Sequence, residues 1–380
     1  MWKKVVFAFA ITGILSATAV PLSAREYKHS GCADAAKVRF PADRAARKEF
    51  KHWCKAQWKI YKETHPLERV IFASPWRLKS ARRSPRGDEM PPPKAKRLIV
   101  TADDFGRSLP VNEAVESAHR EGILSAASLM VGAPAAGDAV ARMRKLPALG
   151  VGLHLTLLEG RPLLPPEKVP GLVGPDGRFS NDAVRFGMAL FFSPELRRQA
   201  RAEIAAQFER FAGTGLVMDH VNGHRHFHLH PVVVQAIADL APRFGRPPVR
   251  VPLEPPKASY AASGDRFVGR MTSWLFYLAQ VQRLRRALLS AGIKSNDHVF
   301  GLYDSGAMVE DRLLKLIPQL PSGLSEIYCH PATRRWVGAD SLPSSYRCEE
   351  EFRALISPAV KEKLQDSGLR PMSFRAAIES

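Results

Sequence analysis

Two adjacent carboxylates end an apolar run in Arg97-Leu98-Ile99-Val100-Thr101-Ala102-Asp103-Asp104-Phe105-Gly106, and five of the chain's 12 histidines crowd between Asp219 and His230. Carboxylates and imidazoles are donors for divalent cations and also the groups that move protons near neutral pH. Neighbouring residues on a strand point to opposite sides, so Asp103 and Asp104 can divide the labour, one on a cation and one free as a base. Taken alone, Asp-Asp-Phe-Gly is equally an Asx turn or a helix N-cap leading into the helical pattern from Val111 to Glu121. A further histidine, His154, interrupts the apolar run Gly152-Leu153-His154-Leu155-Thr156, where a lone imidazole is more often a satisfied core residue. In extended geometry His224, His226, His228 and His230 share one face. Five imidazoles exceed the coordination shell of one metal, so most of them must orient ligands, touch substrate or open a helix. Asp104, His154 and an imidazole of the cluster make one carboxylate and two imidazoles from three strand ends, with positions left for water and substrate.

Such residues need strand ends to hold them. Leu98, Ile99 and Val100 have no polar alternation, which predicts a strand buried on both faces of a parallel sheet. Candidate strands follow at 97–103, 125–131, 150–157, 217–223, 249–254, 297–303, 325–330 and 369–374, with amphipathic helices between most of them, as at 195–212 and 231–244. Seven or eight β-α units in about 280 residues predict a (β/α) barrel with its chemistry at the strand C-termini, a doubly wound open sheet being the alternative. The chain has no G-x-G-x-x-G or Walker loop and no short-period repeat, so no nucleotide or nucleic-acid partner is expected.

The chain has 380 residues and 45 % hydrophobic content, enough for a large core. Its net charge of +19 is unevenly placed: 22 Lys and Arg stand against eight Asp and Glu in the first 97 residues. Residues 1–24 have the shape of an export signal, with Lys3-Lys4, an apolar run from Val5 to Val20 and small residues at Ser23-Ala24; an uncleaved anchor is the alternative. That shape predicts export or inner-membrane association, whereas a start near Met90 would leave the protein cytoplasmic. Residues 25–81 form a basic extension whose Cys32 and Cys54 could share a disulfide, residues 82–95 a Pro-rich linker, and residues 96–376 the main domain. Cys329 and Cys348 lack the spacing of zinc or redox pairs.

RLIVTADDFG, GLHLTL and HVNGHRHFHLHP, in that order, resemble the YdjC-like carbohydrate deacetylase family, which includes chitooligosaccharide deacetylases. TADDFGRSLPVNEAV, SLMVGAPAA and LPALGVGLHLTLLEGRPLLPP most resemble its hopanoid-biosynthesis-associated branch, HpnK. The likeness runs from Lys96 to Arg375. It implies α/β architecture of the distorted or incomplete TIM-barrel kind, Asp104, His154 and His224 as ligands of one divalent metal, and Asp103 as general base. The family's usual metal is magnesium. Two imidazoles and a carboxylate are softer donors than magnesium prefers, so zinc or manganese fits them as well. The implied reaction removes acetate from an N-acetylated amino sugar, an N-acetylglucosaminyl hopanoid glycolipid in the case of the branch.

Amide hydrolysis also needs an acid for the leaving amine, and His330 in Tyr328-Cys329-His330-Pro331 ends a candidate strand. Arg250, His226 and Asp304 are expected at the substrate. The aromatic segments Phe186–Phe192 and Trp274–Leu278 could shelter a lipid and bring peripheral membrane contact, although such stripes are usually core. Two other classes compete. A phosphoesterase could use the same ligands with Arg107 and Arg250 gripping an anion, and a non-catalytic binding protein would have no use for Asp103.

Overall fold

β1, Lys96–Phe105, is buried from Leu98 onward in the computed structural model, which describes Lys48 and residues 95–380 except Ala339. The described residues other than Lys48 belong to one compact unit that begins at Pro93. The signal-like segment, the basic extension with Cys32 and Cys54 apart from Lys48, and all of the linker but Ala95 lie outside the described residues.

Side chains of β1 alternate between two environments, as a pleated strand requires. Leu98, Val100 and Ala102 enter the large core beneath the helices. Ile99 joins Ala126, Leu324 and Phe374 in a separate apolar cluster, while Thr101 and Asp103 meet polar partners. Both faces are therefore covered, which is why the run needs no polar alternation. Full burial of Leu98, Ile99 and Val100 contributes about 1.5–3 kcal/mol each before ordering costs.

The other strands are β2 (Ala126–Leu129), β3 (Gly150–Leu155), β4 (Val221–Gly223), β5 (His298–Phe300) and β6 (Gly323–Cys329). All pair in parallel, in the order β4-β3-β2-β1-β6-β5. Their connections carry α1 (Leu109–Glu121), α2 (Ala136–Met143), α3 (Ala183–Phe192), α4 (Pro194–Ala212), α5 (Pro231–Leu240), α6 (Pro256–Ser263), α7 (Phe267–Ser290) and α8 (Glu310–Leu316). After β6 come α9 (Cys348–Ile356), α10 (Pro358–Asp366) and α11 (Phe374–Glu379). The fold is α/β, an incomplete TIM-barrel-like form: the alternation of elements predicted a (β/α) barrel and the family resemblance an incomplete one.

Two predicted strands are not regular ones. Segment 249–254 lies between β4 and β5: Val221 N donates to Pro248 O, Arg250 N to Val221 O, and Val299 N to Leu253 O. It carries Pro252, which has no N–H to give, and the Asn296 side chain takes over both backbone groups of Val251. The segment thus joins β4 through one isolated parallel bridge and β5 through one bond. Segment 369–374 makes one bridge, Leu98 with Pro371, before turning into α11. Its Phe374 closes the apolar end of the interior, from which Thr101, Glu326 and Arg250 lead to Asp103, His154 and Asn222 at the strand C-termini.

Candidate metal and catalytic site

The two aspartates part company because the backbone turns over between them. β1 loses register with β2 between Ala102 and Phe105, and Asp104 has φ 65°, a left-handed conformation that a short polar side chain tolerates better than most. Asp103 faces inward. Arg250 NH1 donates to its Oδ2 at 2.6 Å, and Oδ1 accepts from Arg250 NH2 at 3.0 Å and Asn222 Nδ2 at 3.2 Å. Asp104 faces the strand ends: its Oδ2 accepts from Arg107 NH1 at 2.8 Å, and its Oδ1 lies 2.9 Å from His224 Nδ1 and 3.3 Å from His154 Nε2. One donor atom from each of Asp104, His154 and His224 falls within 4.8 Å of the others, and all three residues are buried.

Asn222 settles how His154 is presented. Its amide nitrogen donates to Asp103 and to Ser128 Oγ, so its Oδ1 is the acceptor at 2.7 Å from His154 Nδ1. His154 therefore carries its proton on Nδ1, and Nε2 is left buried without a hydrogen-bond partner. A buried lone pair beside a carboxylate oxygen is costly unless something electropositive sits there, and a divalent cation fits this donor set. The relay continues from Ser128 to His220 and Asp219. Gly152 makes room for it, since a Cβ there would meet the His220 ring at 2.5 Å.

Electrostatics follow from that packing. Burial alone would lower the pKa of His224, but Asp104 on one nitrogen and Glu159 on the other lift it to about 9. Burial would raise Asp104, yet His224 and Arg107 hold it well below the usual carboxylate range. The Arg250 guanidinium overcomes burial in the same way at Asp103.

The histidine-rich segment does not run extended, contrary to the shared face expected for it. His224–Leu229 is a 3-10 helix, broken where Arg225 and His226 adopt φ 54° and 55°. Its imidazoles scatter accordingly. His224 reaches Asp104, whereas His226 Nε2 lies 3.0 Å from Tyr328 OH. His228 Nε2 donates to Arg250 O, and His230 Nε2 donates to Gly187 O while its Nδ1 caps α5.

His330 directly follows β6 and lies against the rings of Tyr328 and Tyr346. Its backbone N–H donates to Glu351 at 2.7 Å, and its Nδ1 is buried without a partner. Burial lowers its pKa to about 4 despite the opposing pull of Asp104 and Asp103.

Two expected substrate residues are placed otherwise. Arg250 is 0 % exposed, with its guanidinium filled by Asp103 and Glu326, because a buried cation needs its carboxylates close by. Asp304 is buried and bound by Arg270, with Arg266 and Arg312 beside it. Sequence reasoning missed Asn222, Glu159 and Glu326. Strand alternation could have found Asn222, which must face opposite to the core residue Val221; nothing periodic marks Glu159. A cavity of about 210 Å³ is lined by Arg107 and Glu159, which bond to Asp104 and His224, and by residues such as Met130, Pro134 and Leu163.

A family model described as YdjC-like protein matches residues 97–366. The chain is 30 % identical over 281 residues to a carbohydrate deacetylase of Geobacillus stearothermophilus, covering 73 % of this chain and 96 % of that one. It is 29 % identical over 300 residues to a carbohydrate deacetylase of Mus musculus, covering 72 % and 92 %. A crystal structure from Enterococcus faecalis, described provisionally as a cellobiose-phosphate cleavage protein, has a TM-score of 0.57 and 23 % identity over 74 % of this chain and 98 % of that one, a likeness of fold.

Proposed function

The chain belongs to the YdjC-like protein family, and on that premise we propose that it is a metal-dependent carbohydrate deacetylase that hydrolyses the acetamide of an N-acetylated amino sugar. The observation that carries this is the orphaned Nε2 of His154 beside Asp104 and His224. When bound by those three residues, a divalent cation supplies Lewis acidity to the acetamide carbonyl and to water. Magnesium follows the family resemblance, and zinc or manganese the softness of the donors.

Asp103 is the base in this reading. Both of its oxygens are held by Arg250 and Asn222, which fixes it in place while leaving lone pairs for a water proton. His330 returns a proton to the leaving amine. It is neutral in the resting protein at pH 7, since burial holds its pKa near 4, so the proton it delivers to the amine is the one that Asp103 removes from water, passed to it during turnover. Its low proton affinity then makes it a strong acid toward the amine. His226 stands beside the site through Tyr328, whose ring also contacts His330, and could touch the sugar. A phosphoesterase is disfavoured, since Arg107 and Arg250 are both committed to carboxylates.

The finer substrate is an N-acetylglucosaminyl hopanoid glycolipid, a reading supported by the HpnK-like motifs. Phe191 and Phe192, at the end of α3, are 48 % and 65 % exposed and Leu275 of α7 is 58 % exposed, which supports peripheral contact with a lipid surface. Phe186, expected to join them, is instead core and stacks on Phe227. Acetate release by the full chain from N-acetylglucosaminyl lipids and from soluble chitooligosaccharides, with and without added divalent ions, tests the reading. No release from either with any metal would end it.

A further inference from the structure

Glu159 lies beyond the end of β3 with φ 59°, a left-handed conformation that costs a non-glycine residue on the order of 1 kcal/mol or more and persists only where its surroundings insist on it. The surroundings are explicit. Its Oε2 is 3.1 Å from His224 Nε2 and 3.3 Å from Arg107 NH2, and its Oε1 accepts from Arg225 NH1 at 3.2 Å. His224 Nδ1 in turn lies 2.9 Å from Asp104 Oδ1, and Asp104 Oδ2 accepts from Arg107 NH1. Asp104, His224, Glu159 and Arg107 therefore close a ring of alternating charge in which every member touches two others.

To bind a cation His224 must give up one of its two N–H protons, and an imidazole between two carboxylates then has a choice of tautomer. With its proton on Nδ1 it would donate to Asp104 and offer no lone pair on the side where His154 Nε2 waits. With its proton on Nε2 it donates to Glu159 and offers Nδ1. Only the second arrangement adds a donor to Asp104 and His154, and only an acceptor at the far nitrogen favours it. We infer that Glu159 is a positioning residue for the cation site: it holds His224 in the Nε2–H tautomer and keeps Nδ1 free to bind metal. The inference rests on the reading of Asp104, His154 and His224 as that site. His154 is fixed by the mirror arrangement, its Nδ1–H held by the neutral acceptor Asn222, so each ligand imidazole has its own orienting side chain.

The full chain, stripped with a chelator, is titrated calorimetrically with Zn²⁺ as wild type, Glu159→Gln, Glu159→Ala, Glu159→Leu and His154→Ala. Glutamine loses the charge but keeps an acceptor for His224, whereas alanine and leucine lose both. The expected result is Zn²⁺ affinity within about threefold of wild type for Glu159→Gln and about 10- to 100-fold weaker for Glu159→Ala, with Glu159→Leu reading the same loss should the alanine variant not fold. Equal weakening of the glutamine and alanine variants would assign the effect to ion pairing with Arg107 and Arg225 and overturn the inference. Undiminished affinity in Glu159→Ala would also overturn it, leaving the cation site itself intact. A wild type that binds Zn²⁺ no better than His154→Ala would instead sink the underlying site.

Discussion

Replacing Asp103 by asparagine keeps the shape of the side chain and removes the charge and the basicity together, so it separates catalysis from metal binding and exposes what the buried network costs. Arg250 would keep its two bonds to Glu326 at 2.9 and 2.6 Å but lose the carboxylate that now meets both its NH1 and NH2. The new amide can accept on one side only, and its own N–H groups would face either Arg250 or the amide of Asn222. Removing one partner of a buried ion pair costs about 3–5 kcal/mol, and the remaining carboxylate of Glu326 puts this case near the lower end. Loss of a positioned base lowers turnover by about 10²- to 10⁴-fold, equivalent to roughly 3–5 kcal/mol of barrier. Saturating kcat on a soluble N-acetylated oligosaccharide, Zn²⁺ affinity and urea unfolding are measured on the same preparations. The expected outcome is the drop in kcat and in unfolding free energy, with metal affinity within about threefold of wild type since Asp103 is outside the ligand group. A variant retaining more than about a tenth of wild-type kcat would refute Asp103 as the base, and one that loses its metal would refute the division of roles between the two aspartates.

His154→Ala and His224→Ala should each weaken metal affinity by about 100-fold or more, while His226→Ala, His228→Ala and His230→Ala change it by less than about tenfold; calorimetric titration ranks them, and a loss at His226 or His228 as large as at His224 would reassign the ligands. Phe191→Ser with Phe192→Ser should reduce turnover of an N-acetylglucosaminyl lipid in vesicles about tenfold and leave a soluble substrate unaffected, equal losses on both counting against lipid contact. Glu254 is buried where Leu302, Tyr303 and Ser259 donate to it, and burial lifts its pKa to about 7. A folded-state pKa raised above the unfolded value of 4.5 stabilises the fold fully below pH 4.5, and that stability is lost as pH rises through about 7. Glu254→Gln, which cannot titrate, should therefore flatten the decline in unfolding free energy between pH 5 and 8 by up to about 3 kcal/mol, and parallel pH curves for the two proteins would refute the shift.

The legibility of the fold depended on how many residues each strand has in which to show its period. β1 and β6, with 10 and 7 residues, were readable from their apolar runs. β4 and β5 have three each, too few for alternation to mean much, and the strands expected at 217–223 and 297–303 shrink to those cores. Segment 249–254 was found in the right place and given the wrong bonding, because its ladder depends on Asn296, more than 40 residues away. The error in the histidine cluster has a sharper cause. A period-2 rule was applied to residues that turn out helical, with Arg225 and His226 left-handed; neither is a glycine or asparagine, so nothing local announces the kink.

For the site, residue types were legible and their wiring was not. Asp104 and His154 gained weight only in combination with the histidine cluster, and within that cluster His224 was singled out by the family resemblance rather than by its spacing. Arg250 shows the limit: its position at a strand end was apparent, but its job was assigned to substrate, since the carboxylates that consume it, Asp103 and Glu326, lie 147 and 76 residues away in sequence. Burial decides the matter. An arginine at 0 % exposure cannot reach a sugar, and its charge has to be matched from within the interior. With Asp103 and Glu326 both within 3.0 Å of its guanidinium, Arg250 shares one positive charge between two carboxylates. Arg250 thereby keeps the buried Asp103 ionised, with its pKa well below the usual carboxylate range, so a proton that Asp103 takes from water during turnover is passed on readily rather than kept.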